Sequence, residues 1–256
     1  MDLIRSADEI RDLTGAWRGA GHEVGLVPTM GALHAGHDSL VRRARGETDR
    51  TLVSIFVNPA QFGPDEGLAG YPRDEDRDLD ALRRLEVDAV WLPSVEEVYP
   101  PGVPLAEPDP GPVGDTFEGA ARPGHFRGVL KVVHRLFDLA GPCRAYFGEK
   151  DAQQLFLVRR MVDREGLSID VVACPTVREA DGLAWSSRNR LLAPEEREQA
   201  GCLFLALAEA ATLARAGERD PAVLVAAMAR EVGATPLARL DYAAVVDDRT
   251  FLPQTV

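Results

Sequence analysis

The sequence predicts an α/β chain: a parallel sheet flanked by helices, followed by a smaller α+β domain. Three observations carry this reading. Short apolar runs such as Val24-Gly25-Leu26-Val27 and Thr51-Leu52-Val53-Ser54-Ile55-Phe56-Val57 have the unbroken hydrophobicity of strands buried on both faces. Segments with apolar residues at helical spacing separate them, as parallel units require. After Thr176 the pattern becomes mostly helical, which places the two domains at 1–176 and 177–256.

Composition bounds the function. A chain of 256 residues with 45% hydrophobic residues can bury a sizeable core, and 27% charged residues give it a polar surface. A net charge of −12 argues against a broad nucleic-acid-binding face, though a local cationic pocket remains compatible with it. The apolar runs fall far short of a membrane span and no signal peptide opens the chain. Cys143, Cys174 and Cys202 are widely spaced, odd in number and form no Cys-x-x-Cys pair, which suits a reducing compartment and offers no zinc site. The expectation is a cytoplasmic protein with neither membrane nor nucleic acid as partner.

In chain order, Ser6 and Glu9 have capping-box spacing and open a helix. The strand at Val24 to Val27 runs into Val27-Pro28-Thr29-Met30-Gly31-Ala32-Leu33-His34-Ala35-Gly36-His37, and helical spacing resumes over Asp38 to Arg45. This is a turn between a strand and a helix N-terminus, where free N–H groups and the positive end of the dipole attract phosphate. Gly31 and Gly36 permit close approach of a ligand, and His34 and His37, three apart, reach one anion if the helix starts here. His-x-Gly-His in that setting marks nucleotidyltransferases that attack the α-phosphate of ATP.

The strand at Thr51 to Val57 ends in Asn58-Pro59-Ala60-Gln61-Phe62-Gly63-Pro64. Loops leaving the carboxyl ends of strands build the ligand crevice of an open α/β sheet. Gln61 is accordingly a candidate substrate ligand, whereas Asn58 reads equally as a ligand or as a turn cap. Asp65 to Asp76 reads as a lid over the site or as a plain surface loop. A helix over Leu79 to Leu85 and a strand over Asp88 to Leu92 follow, then a proline-dense stretch from Tyr99 to Pro112, read as an excursion within the first domain in preference to a linker.

Arg122, His125 and Arg127 precede a helix over Val129 to Leu139 and fit phosphate binding and packing alike. A strand at Arg144 to Phe147 ends in Gly148-Glu149-Lys150-Asp151, and a helix carrying Gln153, Gln154 and Leu155 runs to about Glu165. This repeats the first layout, with Lys150 placed as a clamp on transferring phosphates. After a strand at Ile169 to Ala173, the polar loop Arg178 to Arg190 contains Ser186-Ser187-Arg188-Asn189, whose hydroxyls and guanidinium match phosphate oxygens. Pro194 and Asp220-Pro221 open helices, with Gly217 between them, and Leu240 to Val246 reads as a strand.

With these pieces in one order, the chain resembles the pantoate–β-alanine ligases (pantothenate synthetases) over nearly its whole length. The matching segments are Pro28 to His37, Val57 to Pro64, Arg122 to Gly128, Phe147 to Asp151 with Gln153-Gln154-Leu155, Pro175 to Gly182, and Ser186 to Asn189. The resemblance implies a Rossmann-like nucleotidyltransferase domain, a C-terminal lid domain and a homodimer. It implies the reaction of pantoate with ATP to bound pantoyl adenylate and pyrophosphate, after which β-alanine displaces AMP.

By the same resemblance, Met30, Gly31, Ala32, Leu33, His34, Ala35, Gly36 and His37 hold ATP, with His37 the proton donor. Gly148, Glu149, Lys150, Asp151, Val177, Trp185, Ser186, Ser187 and Arg188 complete the nucleotide site. Gln61 and Gln154 hold pantoate, Gln61 also serving β-alanine, and Mg2+ accompanies the phosphates with no protein ligand assigned. His34, His37, Lys150 and Arg188 would stabilise the charge that builds during attack. The chain departs from the family at Ala60, Ala152 and Trp185, where Thr, Tyr and Met are usual; the last bears on nucleotide affinity. Family members normally continue through one more strand at this point, which makes stability of the C-terminal domain the property at risk.

Rival readings fare worse on the same residues. A class I aminoacyl-tRNA synthetase core would need a tRNA-binding surface that neither length nor charge supports. A non-catalytic ATP-binding module would be expected to lose the phosphate donors or the glutamines, and all are present. A metal site at His34 and His37 lacks a His-Glu-x-x-His helix and a third ligand.

Overall fold

The computed structural model describes residues 1–63 and 67–254. The chain divides into two compact units, Met1–Pro175 and Thr176–Val256. In the first, strands and helices alternate: β1 (Asp2–Ile4), α1 (Ala7–Gly19), β2 (Val24–Thr29), α2 (Ala35–Glu47), β3 (Arg50–Ile55), α3 (Glu75–Arg84), β4 (Ala89–Trp91), α4 (Val95–Val98), α5 (Glu118–Ala121), α6 (His125–Ala140), β5 (Cys143–Gly148), α7 (Ala152–Glu165) and β6 (Ile169–Cys174). The sheet is parallel throughout, in the order β1-β4-β3-β2-β5-β6. The fold is α/β, as the run of buried strands predicts.

Both faces of the sheet are covered, which is why its strands read as continuous apolar runs. On one face Val27, Val53, Ile55, Val90, Tyr146 and Val172 pack against Leu40, Val41 and Ala44 of α2 and Leu79 and Leu82 of α3. On the other, α1 and α6 pack on each other and on β2, with Phe137 of α6 meeting the ring of Phe147 edge-on at 6.4 Å. The Ser6 side chain accepts from Glu9 N and the Glu9 carboxylate from Ser6 N, closing the capping box of α1. The short edge strand β1 escapes sequence reading: only Ile4 of its three residues is buried, so it shows no alternation.

The order matters more than the strands. From β2 the chain winds outward through β3 and β4 on one side, and β5 and β6 lie on the other, so the order reverses between β2 and β5. The crevice outside the carboxyl ends at such a reversal is where open α/β sheets bind ligands. Thr29 and Gly148 end the two strands that flank it.

Two predicted features need correction or restriction. Among the described residues, Leu240 to Val246 forms no strand; its segment makes an antiparallel bridge, Val246 to Pro253, with Gln254 N donating to Val245 O. A strand requires a ladder of partners, and alternation in the side chains does not supply one. The segment read as a lid is described only from Gly67 onward; Pro64, Asp65 and Glu66 lie outside the described residues. From there the chain makes a 3-10 turn at Leu68–Gly70 and enters α3 behind its N-cap, Asp74.

The second unit contains α8 (Pro194–Gln199), α9 (Cys202–Arg215) and α10 (Pro221–Gly233). Ala206, Met228 and Val232 form its core, with α9 packed along α10. The helix predicted from Pro194 is two, because the bonding tightens to i→i+3 where Leu203 N donates to Ala200 O and Phe204 N to Gly201 O.

One close approach is absolute. A Cβ added at Gly128 of α6 would lie 2.0 Å from Ala60 O and 2.6 Å from Gln61 N, so helix and loop touch backbone to backbone. Gly128→Ala should therefore destabilise the first unit by about 1–3 kcal/mol or more. Urea denaturation checks this, and an unchanged midpoint would show that α6 can yield.

Candidate active site

The turn after β2 is held from several sides. Gly31 and Ala32 both have positive φ, 79° and 51°, a conformation easy for glycine and costly for alanine. Thr29 Oγ1 donates to Ser54 O and accepts from Gly31 N. The carboxylate of Asp78, reaching over from α3, accepts from Ala32 N and Leu33 N, both at 2.8 Å. Burial raises the Asp78 pKa, and the two N–H bonds work against that rise.

His34 is the N-cap of α2, its Nδ1 accepting from Gly36 N at 3.1 Å. That bond leaves Nε2 to carry the proton of the neutral ring. The His34 and His37 rings lie 4.0 Å apart between centroids with a 32° tilt, so the helix start does bring the pair together. His37 Nδ1 is buried and unpartnered among the described residues. Burial, then the neighbouring His34, then the Lys150 charge hold the His37 pKa down at about 3. Lys150 sits in the 3-10 turn Glu149–Asp151 after β5, half exposed, its Nζ 3.1 Å from Asp151 Oδ1. The strand reversal thus sets Lys150 within electrostatic reach of the histidines, 113 residues after His37 in the chain.

The loop after β3 carries the amides. Asn58 is 1% exposed and fully engaged: Nδ2 donates to Gln61 Oε1 and Gly128 O, while Oδ1 accepts from Ala60 N and from the Tyr99 hydroxyl at 2.7 Å. Two hydrogens and two lone pairs are all its amide has. The reading of Asn58 as a substrate ligand is corrected: it caps the turn and orients Gln61. Gln61 Nε2 reaches Met30 Sδ at 3.1 Å, joining this loop to the turn after β2. Its backbone carbonyl accepts from Arg122 Nη2 and faces His125 Nδ1 at 2.9 Å. These contacts set Arg122 and His125 against the loop that carries Gln61.

Gln153 and Gln154 part company. Gln153 is buried, with Nε2 donating to Val113 O and Thr116 O and Oε1 accepting from Glu118 N, so it ties α7 to the excursion. Gln154 is half-buried one position on. In the second unit, Trp185 N donates to Val177 O, and Ser186 caps the 3-10 turn Ser187–Leu191 by accepting from Arg188 N. Arg197 bridges Glu179 at 2.8 Å and Asp181 at 2.5 Å, and the Asn189 amide binds Glu179 Oε1 and Ala184 O, which orders this polar loop from within.

Sequence reasoning missed Asp78, Tyr99, Gln153 and Arg197. Asp78 lies in the acid-rich start Asp74-Glu75-Asp76-Arg77-Asp78, which reads as a solvated first turn favoured by the helix dipole. Nothing in the one-dimensional pattern marks which of those acids turns inward.

The His37 environment has a measurable sign. With its pKa lowered to about 3 from an ordinary 6.5, the folded protein holds the ring neutral at pH 5. The unfolded chain takes up that proton, so stability contributed at this position falls as the pH drops below about 6.5. Nitrogen-detected NMR of the imidazole should show a neutral ring at pH 5; titration near 6.5 would contradict the burial.

Comparison with known proteins agrees with this geometry. The family model described as pantoate-beta-alanine ligase matches residues 2–256. The pantothenate synthetase of Roseiflexus castenholzii is 52% identical over 247 residues, covering 96% of this chain and 87% of its own length. That of Rubrobacter xylanophilus is 52% identical over 254 residues, 97% of this chain and 87% of its own. A pantothenate synthetase crystal structure from Thermus thermophilus superposes with a TM-score of 0.92 at 46% identity, over 99% of this chain and 90% of that one. A Francisella tularensis pantoate-beta-alanine ligase, complexed with beta-gamma ATP and beta-alanine, gives 0.77 at 33% identity, over 91% and 86%. A parallel sheet that reverses at a His-x-Gly-His turn, shared sequence along the whole chain and shared structure place this chain in the pantoate–β-alanine ligase family.

Proposed function

We propose that the protein condenses pantoate with β-alanine at the expense of ATP, through a pantoyl-adenylate intermediate, releasing pyrophosphate and then AMP. The observation that carries the reading is the meeting of His34, His37 and Lys150 at the strand reversal, beside the Gln61 amide that spans from β3 to Met30. A Francisella relative complexed with beta-gamma ATP and beta-alanine supports the same substrates here.

In the first step a pantoate carboxylate oxygen attacks the α-phosphorus and the bond to the pyrophosphate oxygen breaks. Negative charge grows on phosphate oxygens, and preorganised donors aimed at it lower the barrier. His34 Nε2–H, His37 and the Lys150 ammonium supply those donors, with the N-terminus of α2 behind them. A neutral His37 acts first as a hydrogen-bond donor; bound polyphosphate would raise its pKa and let it transfer a proton to the departing oxygen. In the second step the β-alanine amine attacks the acyl carbon, AMP leaves, and the amine loses a proton. Gln61 and Gln154 hold pantoate, and Gln61 then serves the amine.

Met30 to His37, Gly148 to Asp151, and Val177 with Trp185 to Arg188 are assigned to the nucleotide in the same proposal, Arg188 as a phosphate donor. Mg2+ enters as part of the substrate complex. No group of three metal-ligating side chains gathers among the described residues, and Mg2+ is commonly carried by substrate phosphates. A lid role for the second unit, a homodimer and a cytoplasmic setting complete the proposal. Three buried free thiols suit that compartment, and no helix among the described residues is long and apolar enough to cross a membrane.

Two experiments test the reading. The protein should exchange labelled pyrophosphate into ATP with pantoate present and β-alanine absent, because the carboxylate needs no amine to attack. Exchange that required β-alanine would refute the adenylate. Gln154→Ala should raise KM for pantoate by roughly 5–100-fold, the cost of one unpaired polar group in a pocket, and leave KM for ATP nearly unchanged. Equal weakening of both substrates would signal collapse of the pocket instead.

A further inference from the structure

Asp78 takes no part in the proposed chemistry, yet it is 2% exposed, on a helix whose other early acids face solvent. Its two oxygens accept from successive backbone N–H groups, Ala32 and Leu33, each at 2.8 Å. Those residues are 3% and 6% exposed, so water cannot replace the carboxylate. Two N–H groups converge on one acceptor here because Gly31 and Ala32 both lie in the left-handed region. The carboxylate also occupies the room beside Gly31, where an added Cβ would meet Asp78 Oδ2 at 2.9 Å and Ile55 Cγ2 at 3.1 Å. One residue beyond Leu33, His34 caps α2 and stacks on His37.

We infer that Asp78 is the positioning residue of the His34–His37 turn, acting from α3 through the Ala32 and Leu33 amides to hold the phosphate donors in place. The inference rests on the reading above, in which those histidines serve ATP. Removing one acceptor leaves a buried N–H opposed by an amide hydrogen, and the turn relaxes from its left-handed geometry. The Gln61 amide is also held from its own loop, by Asn58, which Tyr99 engages in turn, so pantoate binding is spared.

The test uses the full chain carrying Asp78→Asn, close in shape to the original. Expected are a roughly 10–100-fold fall in kcat for pantothenate formation and a KM for pantoate within about twofold of wild type. The His37 imidazole nitrogen shifts should also move. Adding Ala32→Gly, which removes the left-handed penalty, should restore part of the lost kcat; a role confined to stabilising α3 would gain nothing from it. Wild-type kcat in folded Asp78→Asn would overturn the inference, as would unmoved His37 shifts. If Asp78→Asn does not fold, Asp78→Glu keeps the charge and pushes the turn outward, and undiminished kcat there would overturn it equally. A wild-type protein that makes no pantothenate would sink the functional reading instead, leaving the His37 shifts in Asp78→Asn to decide the positioning role.

Discussion

Two backbone N–H groups at Ala32 and Leu33, buried at the end of β2, must be satisfied by something, and Asp78 satisfies both. Much of the site follows from this constraint. The chain has to turn sharply to leave a central parallel strand and start α2 on the same face of the sheet. It does so through two left-handed residues, the second of which carries a side chain. A turn of that kind costs about 1–2 kcal/mol per non-glycine residue and persists only where its surroundings hold it. Thr29, Ser54 and Asp78, from β2, β3 and α3, together do so. The result is a helix that begins at Ala35 with a histidine as its cap.

The second support is a buried amide network. Tyr99 brings the proline-rich excursion back to Asn58, Asn58 orients Gln61, and Gln61 reaches Met30. Every hydrogen-bonding position of Asn58 is filled, which makes the network rigid and intolerant of partial loss. On the far side, Gly128 lets α6 press against the same loop, and Arg122 and His125 converge on the Gln61 carbonyl. One glutamine is thereby fixed at both its backbone and its side chain, as an amide must be if it is to distinguish a substrate hydroxyl from water.

Electrostatics at the turn follow from its packing. Burial, the His34 ring 4.0 Å away and the Lys150 charge together keep the His37 ring neutral. The net charge of −12 is a sum over the whole chain and does not fix the local field at the reversal of the sheet.

The residues reveal their own local chemistry. Unbroken apolar runs betray strands covered on both faces, helical spacing betrays α2, α6 and α7, and Gly31 with His34 and His37 announces the turn from strand to helix start, since each signal lies within a dozen neighbouring positions. The capping box of α1 and the proline at the start of α10 are legible for the same reason. Partnership at a distance is not. Leu240 to Val246 has the composition of a strand and, among the described residues, lacks the ladder that would make it one. Asn58 and Gln61 look alike as loop amides, and only the arrival of Tyr99 and Gly128 decides that the first is spent on structure. Asp78 hides among the acids that open α3 until the fold turns it towards the Ala32–Leu33 turn, 45 residues earlier at Leu33. Hydrogen bonds between segments far apart in the chain depend on which elements pack side by side, and only the assembled sheet settles that.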